Sequence, residues 1–261
     1  MEKKVSVIVV TFQRFEYLKL TLESILAQTY TNFELIVVSD GYESDVKEYV
    51  KSLFESGYSI QYDFTEHCGY PARPRNLALK KCKGEYVAFC DDDDLWESDK
   101  LEKQIDVLDR NEDVVLCCTN RDEIDSDGHL LTKKSINYVP NYPTFNKLLF
   151  TNFISYSSVL IKKSIIEKSG VFIDDIKFRA VEDYHLWLRV AYYGKVYFLD
   201  EIMVHYRKHG GNITSKFSVG IKKNILVYDN IFSTLNVSKI RKFFSYVTVY
   251  VKSAIYRLSG K

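Results

Sequence analysis

Four consecutive carboxylates, Asp91 to Asp94, lie within the stretch AFCDDDDLW. Adjacent negative charges repel, so this turn needs a counter-charge. Hard cations such as Mg²⁺ or Mn²⁺ bind one or two carboxylates and leave other positions to phosphate oxygens, a demand that an Asp-x-Asp pair at a strand end meets. Taken alone, the run also fits a solvated turn that caps a helix over Ser98–Arg110. A second acidic pair, Glu182-Asp183, opens a helical segment, where the dipole favours carboxylates by about 0.3–1 kcal/mol. In Tyr206-Arg207-x-His209, basic side chains follow an expected strand end, a place suited to a departing diphosphate or a metal.

These groups need a scaffold that brings distant positions together. Val5–Val10, Glu34–Ser39 and Glu85–Cys90 are continuous apolar, β-branched runs, the pattern of strands covered on both faces in a parallel sheet. Leu18, Leu22, Ile25 and Leu26 recur at helical spacing, and Asp45–Phe54 and Arg75–Cys82 predict further helices. The first 120 residues therefore read as a nucleotide-binding α/β half. In such sheets ligands bind at the carboxyl ends of the strands, here Thr11-Phe12, Asp40-Gly41 and Asp91 to Asp94. Val114–Thr119 predicts another strand, Asn120–Ser135 and the Pro140 and Pro143 region a loop, and Glu182–Tyr192 a helix. Ile240, Phe243, Phe244, Val247, Val251, Ala254, Ile255 and Leu258 fall on one face of a final amphipathic helix.

EYVAFCDDDDLWESDKLEK, residues 85 to 103, resembles the DxD segment of glycosyltransferase family 2, the inverting enzymes of GT-A fold. VSVIVVTFQRFEYLKLTLESILAQTYTNFELIVVSDG is similar to that family's opening, GYPARPRNLALKKCKGEYVAFCDDDD to its Arg-Asn and DxD passage, VEDYHLWLRVAYYGK to its ED segment, and VHYRKHGGNIT to a Tyr-Arg-x-His motif. The resemblance covers residues 4 to 215 and implies an α/β GT-A catalytic domain over 1–215. Its nucleotide-sugar half is 1–120 and its acceptor half 121–215, and a basic helical extension follows over 216–261. It implies that Asp40 contacts the nucleobase or ribose, that Thr11 and Phe12 line the base pocket, and that Arg75 supports base or diphosphate. Asp93 becomes the metal ligand, with Asp91 or Asp92 facing the ribose, His209 a further ligand to metal or diphosphate, Asp183 the base, and Glu182 a support. The cofactor implied is Mn²⁺ or Mg²⁺. The donor implied is a nucleoside-diphosphate sugar, UDP by family precedent, and the acceptor a saccharide or lipid-linked saccharide in surface polysaccharide or glycoconjugate synthesis.

Rival readings are a nucleotidyltransferase, which should carry a glycine-rich phosphate loop where TFQRFE stands, and a sugar-nucleotide-binding protein without transfer activity. A glycosidase needs separated carboxyls that adjacent aspartates do not supply. No Gln-x-x-Arg-Trp motif is present, which favours single addition over polymerisation. Trp96 and Trp187 are read as core, and His67, His129, His185 and His205 as structural. Five cysteines without a CxxC spacing read as reduced thiols of a cytoplasmic protein, and the Val5–Val10 run is too short for a signal segment or membrane span. The net charge of +1 hides an asymmetry: residues 216–261 hold nine Lys or Arg against Asp229 alone, so the tail carries +8 and the rest −7. No RNA-binding motif accompanies that charge. A basic amphipathic tail helix predicts either contact with the inner face of an anionic membrane or packing of its apolar face on the catalytic domain.

Overall fold

The computed structural model describes residues 4–134, 136–210 and 217–258. Val5–Thr11 (β1), Phe33–Asp40 (β2), Ile60–Thr65 (β3) and Tyr86–Asp91 (β4) run parallel in the order β3-β2-β1-β4. Side-chain alternation gives this layer two buried faces. Val5, Val7 and Val9 enter one core with Leu18, Leu22 and Ile25 of α1 (Phe15–Leu26) and Val46 and Val50 of α2 (Ser44–Glu55). Ile8, Ile36 and Phe89 enter the other, with Ala78 and Leu79 of α3 (Ala72–Lys81). Continuous apolar runs were expected for this reason, and their helices form within a few residues of the expected bounds.

The sheet continues through Leu95–Trp96 (β5), Val114–Ile124 (β6), Leu130–Thr132 (β7), Leu160–Lys162 (β8) and Lys195–Arg207 (β9), in the full order β3-β2-β1-β4-β8-β6-β9-β5 with β7 on β6. The loop expected from Asn120 is instead strand as far as Ile124. β9 runs parallel to β6 along its length and satisfies the backbone of this polar stretch, while the Asn120 side chain bonds Ile136 O at 2.8 Å and Asp200 Oδ1 at 2.7 Å. Lys100–Arg110 (α4) places Leu101, Ile105 and Leu108 in the first core. Phe145–Phe150 (α5), Lys163–Ser169 (α6) and Glu182–Tyr193 (α7) cover the second, in which Trp187 is fully buried. Trp96 is buried as expected and donates from Nε1 to Ser157 O. The cysteines are free, and all but Cys68 are buried.

Phe217–Thr234 (α8) sends Val227, Tyr228, Ile231 and Phe232 into the second core, where Tyr228 donates to Leu149 O. Lys239–Leu258 (α9) packs on α8 and α5. Here the structure corrects one expectation. Ile240, Phe243, Phe244, Val247 and Val251 do not pack on the catalytic domain but face solvent, whereas Ser245 and Val249 are buried and Tyr246 meets Tyr228 and Phe232. A helix docked through its narrow Ser245–Val249 side leaves the wider apolar arc outward. The 211–214 part of the Tyr-Arg-x-His segment, the boundary expected at 215/216, and Lys261 lie outside the described residues.

Candidate functional site

The parallel register brings three strand ends to one edge. Val10 pairs with Asp91, Thr11 with Ser39, and Asp40 with Thr65. Above them opens a cleft of about 920 Å³ lined by Thr11, Phe12, Asp40, Arg75, Asp91, Asp92, Asp93 and Asp183 together. Two non-glycine residues at this cleft, Gln13 (φ 54°) and Ala180 (φ 72°), adopt the left-handed conformation that side chains disfavour. Such strain persists where surrounding structure holds it and clusters at functional sites.

At the β2 end, Asp40 accepts from the backbone N–H groups of Cys68 at 2.7 Å and Gly69 at 2.8 Å, so it fixes the β3–α3 loop while facing the cleft. Gly69 permits that turn with φ +77°. The loop delivers His67, whose ring stacks on Phe12 with centroids 4.3 Å apart. His67, expected to be structural, thus forms a wall of the cleft.

The acidic turn separates its four members. Asp94 is fully buried and braces the turn, accepting from Ser157 Oγ at 2.5 Å and from the Arg207 backbone N–H at 3.1 Å. Arg207 is buried too and donates from Nε to Asp93 O at 3.0 Å, so it holds the turn's backbone. Asp93 faces His209, with Nε2···Oδ2 at 2.8 Å, which unites the two expected metal ligands. Arg14 Nη1 donates to Asp93 Oδ2 at 2.8 Å and to Asp92 Oδ1 at 3.1 Å. Burial, with repulsion from neighbouring aspartates, raises the Asp91 carboxyl to about 6 and Asp92 to about 7, and pushes Asp94 well above the usual carboxylate range.

Arg75 joins this turn to the second acidic pair. Its guanidinium lies 3.6 Å from the Tyr156 ring centroid and donates to Asp91 Oδ1 at 2.9 Å and to Glu182 Oε1 at 2.6 Å. Both Arg75 and Glu182 are about 95% buried (5% and 4% exposed), so they form an internal ion pair. Arg75 was expected at the base or diphosphate; its partners place it between the acidic turn and the start of α7. Asp183 reaches the cleft, and burial plus the adjacent Glu182 charge raises its carboxyl to about 7, against the opposing pull of Arg75. A carboxylate of that basicity suits proton abstraction near neutral pH.

The residues present fit a divalent cation. Oxygens of Asp91, Asp93 and Asp94 lie within 4.8 Å of one another, a hard all-oxygen donor set, and burial, then the charge of the neighbouring aspartates, raises the proton affinity of Asp91 and Asp94. Both oxygens of Asp94 are committed to Ser157 and Arg207, which leaves Asp93 and Asp91 toward the cleft. Sequence reasoning missed Arg14, His67 and Tyr156. The only available signal for Arg14 was its place just beyond a strand end.

Residues 6–170 match the family described as Glycosyl transferase family 2. The chain is 31% identical over 264 residues to an uncharacterized glycosyltransferase of Rickettsia bellii, covering 98% of this chain and 36% of the relative. It thus spans about a third of that relative's length. It is 28% identical over 226 residues to the Escherichia coli UDP-Glc:alpha-D-GlcNAc-diphosphoundecaprenol beta-1,3-glucosyltransferase WfaP, covering 84% of each. Among solved structures, S. aureus TarS 1-349 in complex with UDP-GlcNAc superposes with a TM-score of 0.75 at 20% identity, covering 93% of this chain and 70% of that one, and shares the fold.

Proposed function

This chain belongs to glycosyl transferase family 2, and on that premise we propose that it moves a sugar from a nucleoside-diphosphate sugar, with UDP as the nucleotide, to a hydroxyl of a saccharide or lipid-linked saccharide. Transfer proceeds with inversion, depends on a divalent cation, and serves surface polysaccharide or glycoconjugate synthesis in the cytoplasm. The observation that carries the reading is the continuity of the cleft: Asp93 and Asp183 line one cavity, tied through Asp91, Arg75 and Glu182. The nucleotide choice draws on TarS, which binds UDP-GlcNAc.

The chemistry is one displacement at the anomeric carbon. The acceptor oxygen attacks, its proton passes to Asp183, and the bond from the anomeric carbon to the diphosphate breaks with its electron pair leaving on the diphosphate. Asp183 is basic enough for this because it is partly buried beside the Glu182 charge, and Glu182 is held in place by Arg75. Thr11, Phe12, Asp40 and His67 form the wall for the nucleoside, and the fixed β3–α3 loop presets that wall before donor arrives. Asp93 and Asp91, with His209 beside them, would hold the cation, which when bound stabilises negative charge on the diphosphate.

A thermal-shift panel of nucleotide sugars with and without Mn²⁺ tests the reading. The expected result is a larger rise in Tm for a UDP-sugar with Mn²⁺ than for either alone. Equal responses to all nucleotides, or none, would count against it.

A further inference from the structure

The outward arc of α9 is apolar, cationic at its edges, and covered by nothing among the described residues. Ile240, Phe243, Phe244, Val247, Tyr250 and Val251 are 36–69% exposed, and at 100° per residue they share one side of the helix. Lys239 and Arg241, both exposed, border that arc on opposite sides. The helix carries five basic residues, Lys239, Arg241, Lys242, Lys252 and Arg257, and no acid. Its inner side is already fixed: Val249 is buried in the core, Tyr246 donates to Asp229, and Lys242 donates to Phe232 O at 2.9 Å. The outward arc is therefore a formed surface.

Charge selects the occupant. A second copy placing α9 against α9 would set face to face two helices whose charged side chains are all positive. An anionic lipid surface meets both features, since its acyl boundary takes the phenylalanines and its headgroup phosphates take the flanking cations. We propose that α9 lies in the headgroup layer of an anionic membrane with Phe243 and Phe244 inserted. No helix among the described residues is long and apolar enough to cross a membrane, so this is surface attachment. α9 packs on α5, which leads into the 152–156 segment lining the cleft, so the docked helix is joined to the cleft through α5. The inference rests on α9 alone and stands whether or not the cleft transfers sugar.

The test is flotation of the full chain with vesicles of phosphatidylglycerol and phosphatidylcholine, against pure phosphatidylcholine, at low and high salt. Binding is expected to be roughly tenfold or more stronger on the anionic vesicles and to weaken with salt. Phe243→Gln with Phe244→Gln, and separately Lys239→Gln with Arg241→Gln, should each lower it by roughly tenfold while leaving the Tm unchanged. Equal recovery on neutral vesicles, wild-type binding by both double variants, or a soluble oligomer that the phenylalanine variant dissolves would overturn the proposal. The last outcome would assign the arc to a second copy of the chain.

Discussion

Arg14 Nη1 and His209 Nε2 meet the same oxygen of Asp93, each at 2.8 Å. The counter-charge that the four aspartates require is thus partly supplied by the chain, from a residue 79 positions away. Arg14, Arg207 and Ser157 already hold this turn in shape, and under the proposed function a cation bound with the donor would enter it.

Replacing Arg14 by Ala should lower the stability of the metal-free protein by about 1–2 kcal/mol, the value of charge-assisted hydrogen bonds at a partly exposed site. Mn²⁺ should then restore more Tm in the variant than in wild type. An unchanged Tm without metal would mean that Arg14 does not offset the aspartate charge.

Arg75 should be harder to lose. Arg75→Met removes the charge from between two carboxylates, and breaking a buried pair in this way costs about 3–5 kcal/mol. Adding Glu182→Gln to that variant should recover part of the loss in urea unfolding. A cost below about 1 kcal/mol for Arg75→Met would show that Glu182 is relieved by some other route.

Stability should depend on pH in a defined direction. Asp91, Asp92 and Asp183 have folded-state values raised to about 6, 7 and 7, above the ordinary carboxylate range. Each binds its proton more tightly when folded, so the stability it contributes is complete below the ordinary carboxylate range, near pH 4, and is lost as pH rises through these values. The Tm of the metal-free protein should fall between pH about 4.5 and 7, and Mn²⁺ should flatten that fall because it favours the ionised carboxylates. A metal-free Tm that rises across this interval would contradict the assignment.

Asp93→Ala should abolish the Mn²⁺-dependent part of the donor thermal shift and reduce transfer to background. Asp94 acts through the fold, since Ser157 and Arg207 occupy it, and Asp94→Ala should lower Tm with or without metal. If Asp93→Ala kept the full Mn²⁺ response, the metal would have to be held elsewhere in the cleft.

The parallel half was legible because strands buried on both faces are apolar along most of their length, as Val5–Val10 and Glu34–Ser39 are. β3 lies at the sheet edge and β9 mixes buried with exposed positions, so neither carries that mark. Site residues at strand ends were readable from the rule that ligands bind there. Arg14 and His67 were not, because their roles arise from contacts made only when the chain closes: Arg14 with Asp93, His67 with Phe12. Helical periodicity identified the apolar arc of α9, but periodicity gives a face and not what covers it.

Asp183 as the base is the central assignment, and Asp183→Asn with a turnover assay and a donor titration in parallel tests it most directly. The amide keeps the size and one acceptor oxygen but takes no proton. Donor affinity should stay within about threefold of wild type, while turnover falls by at least about a hundredfold and the wild-type rise in rate through pH 7 disappears. Near-normal turnover by the Asn variant would contradict the assignment.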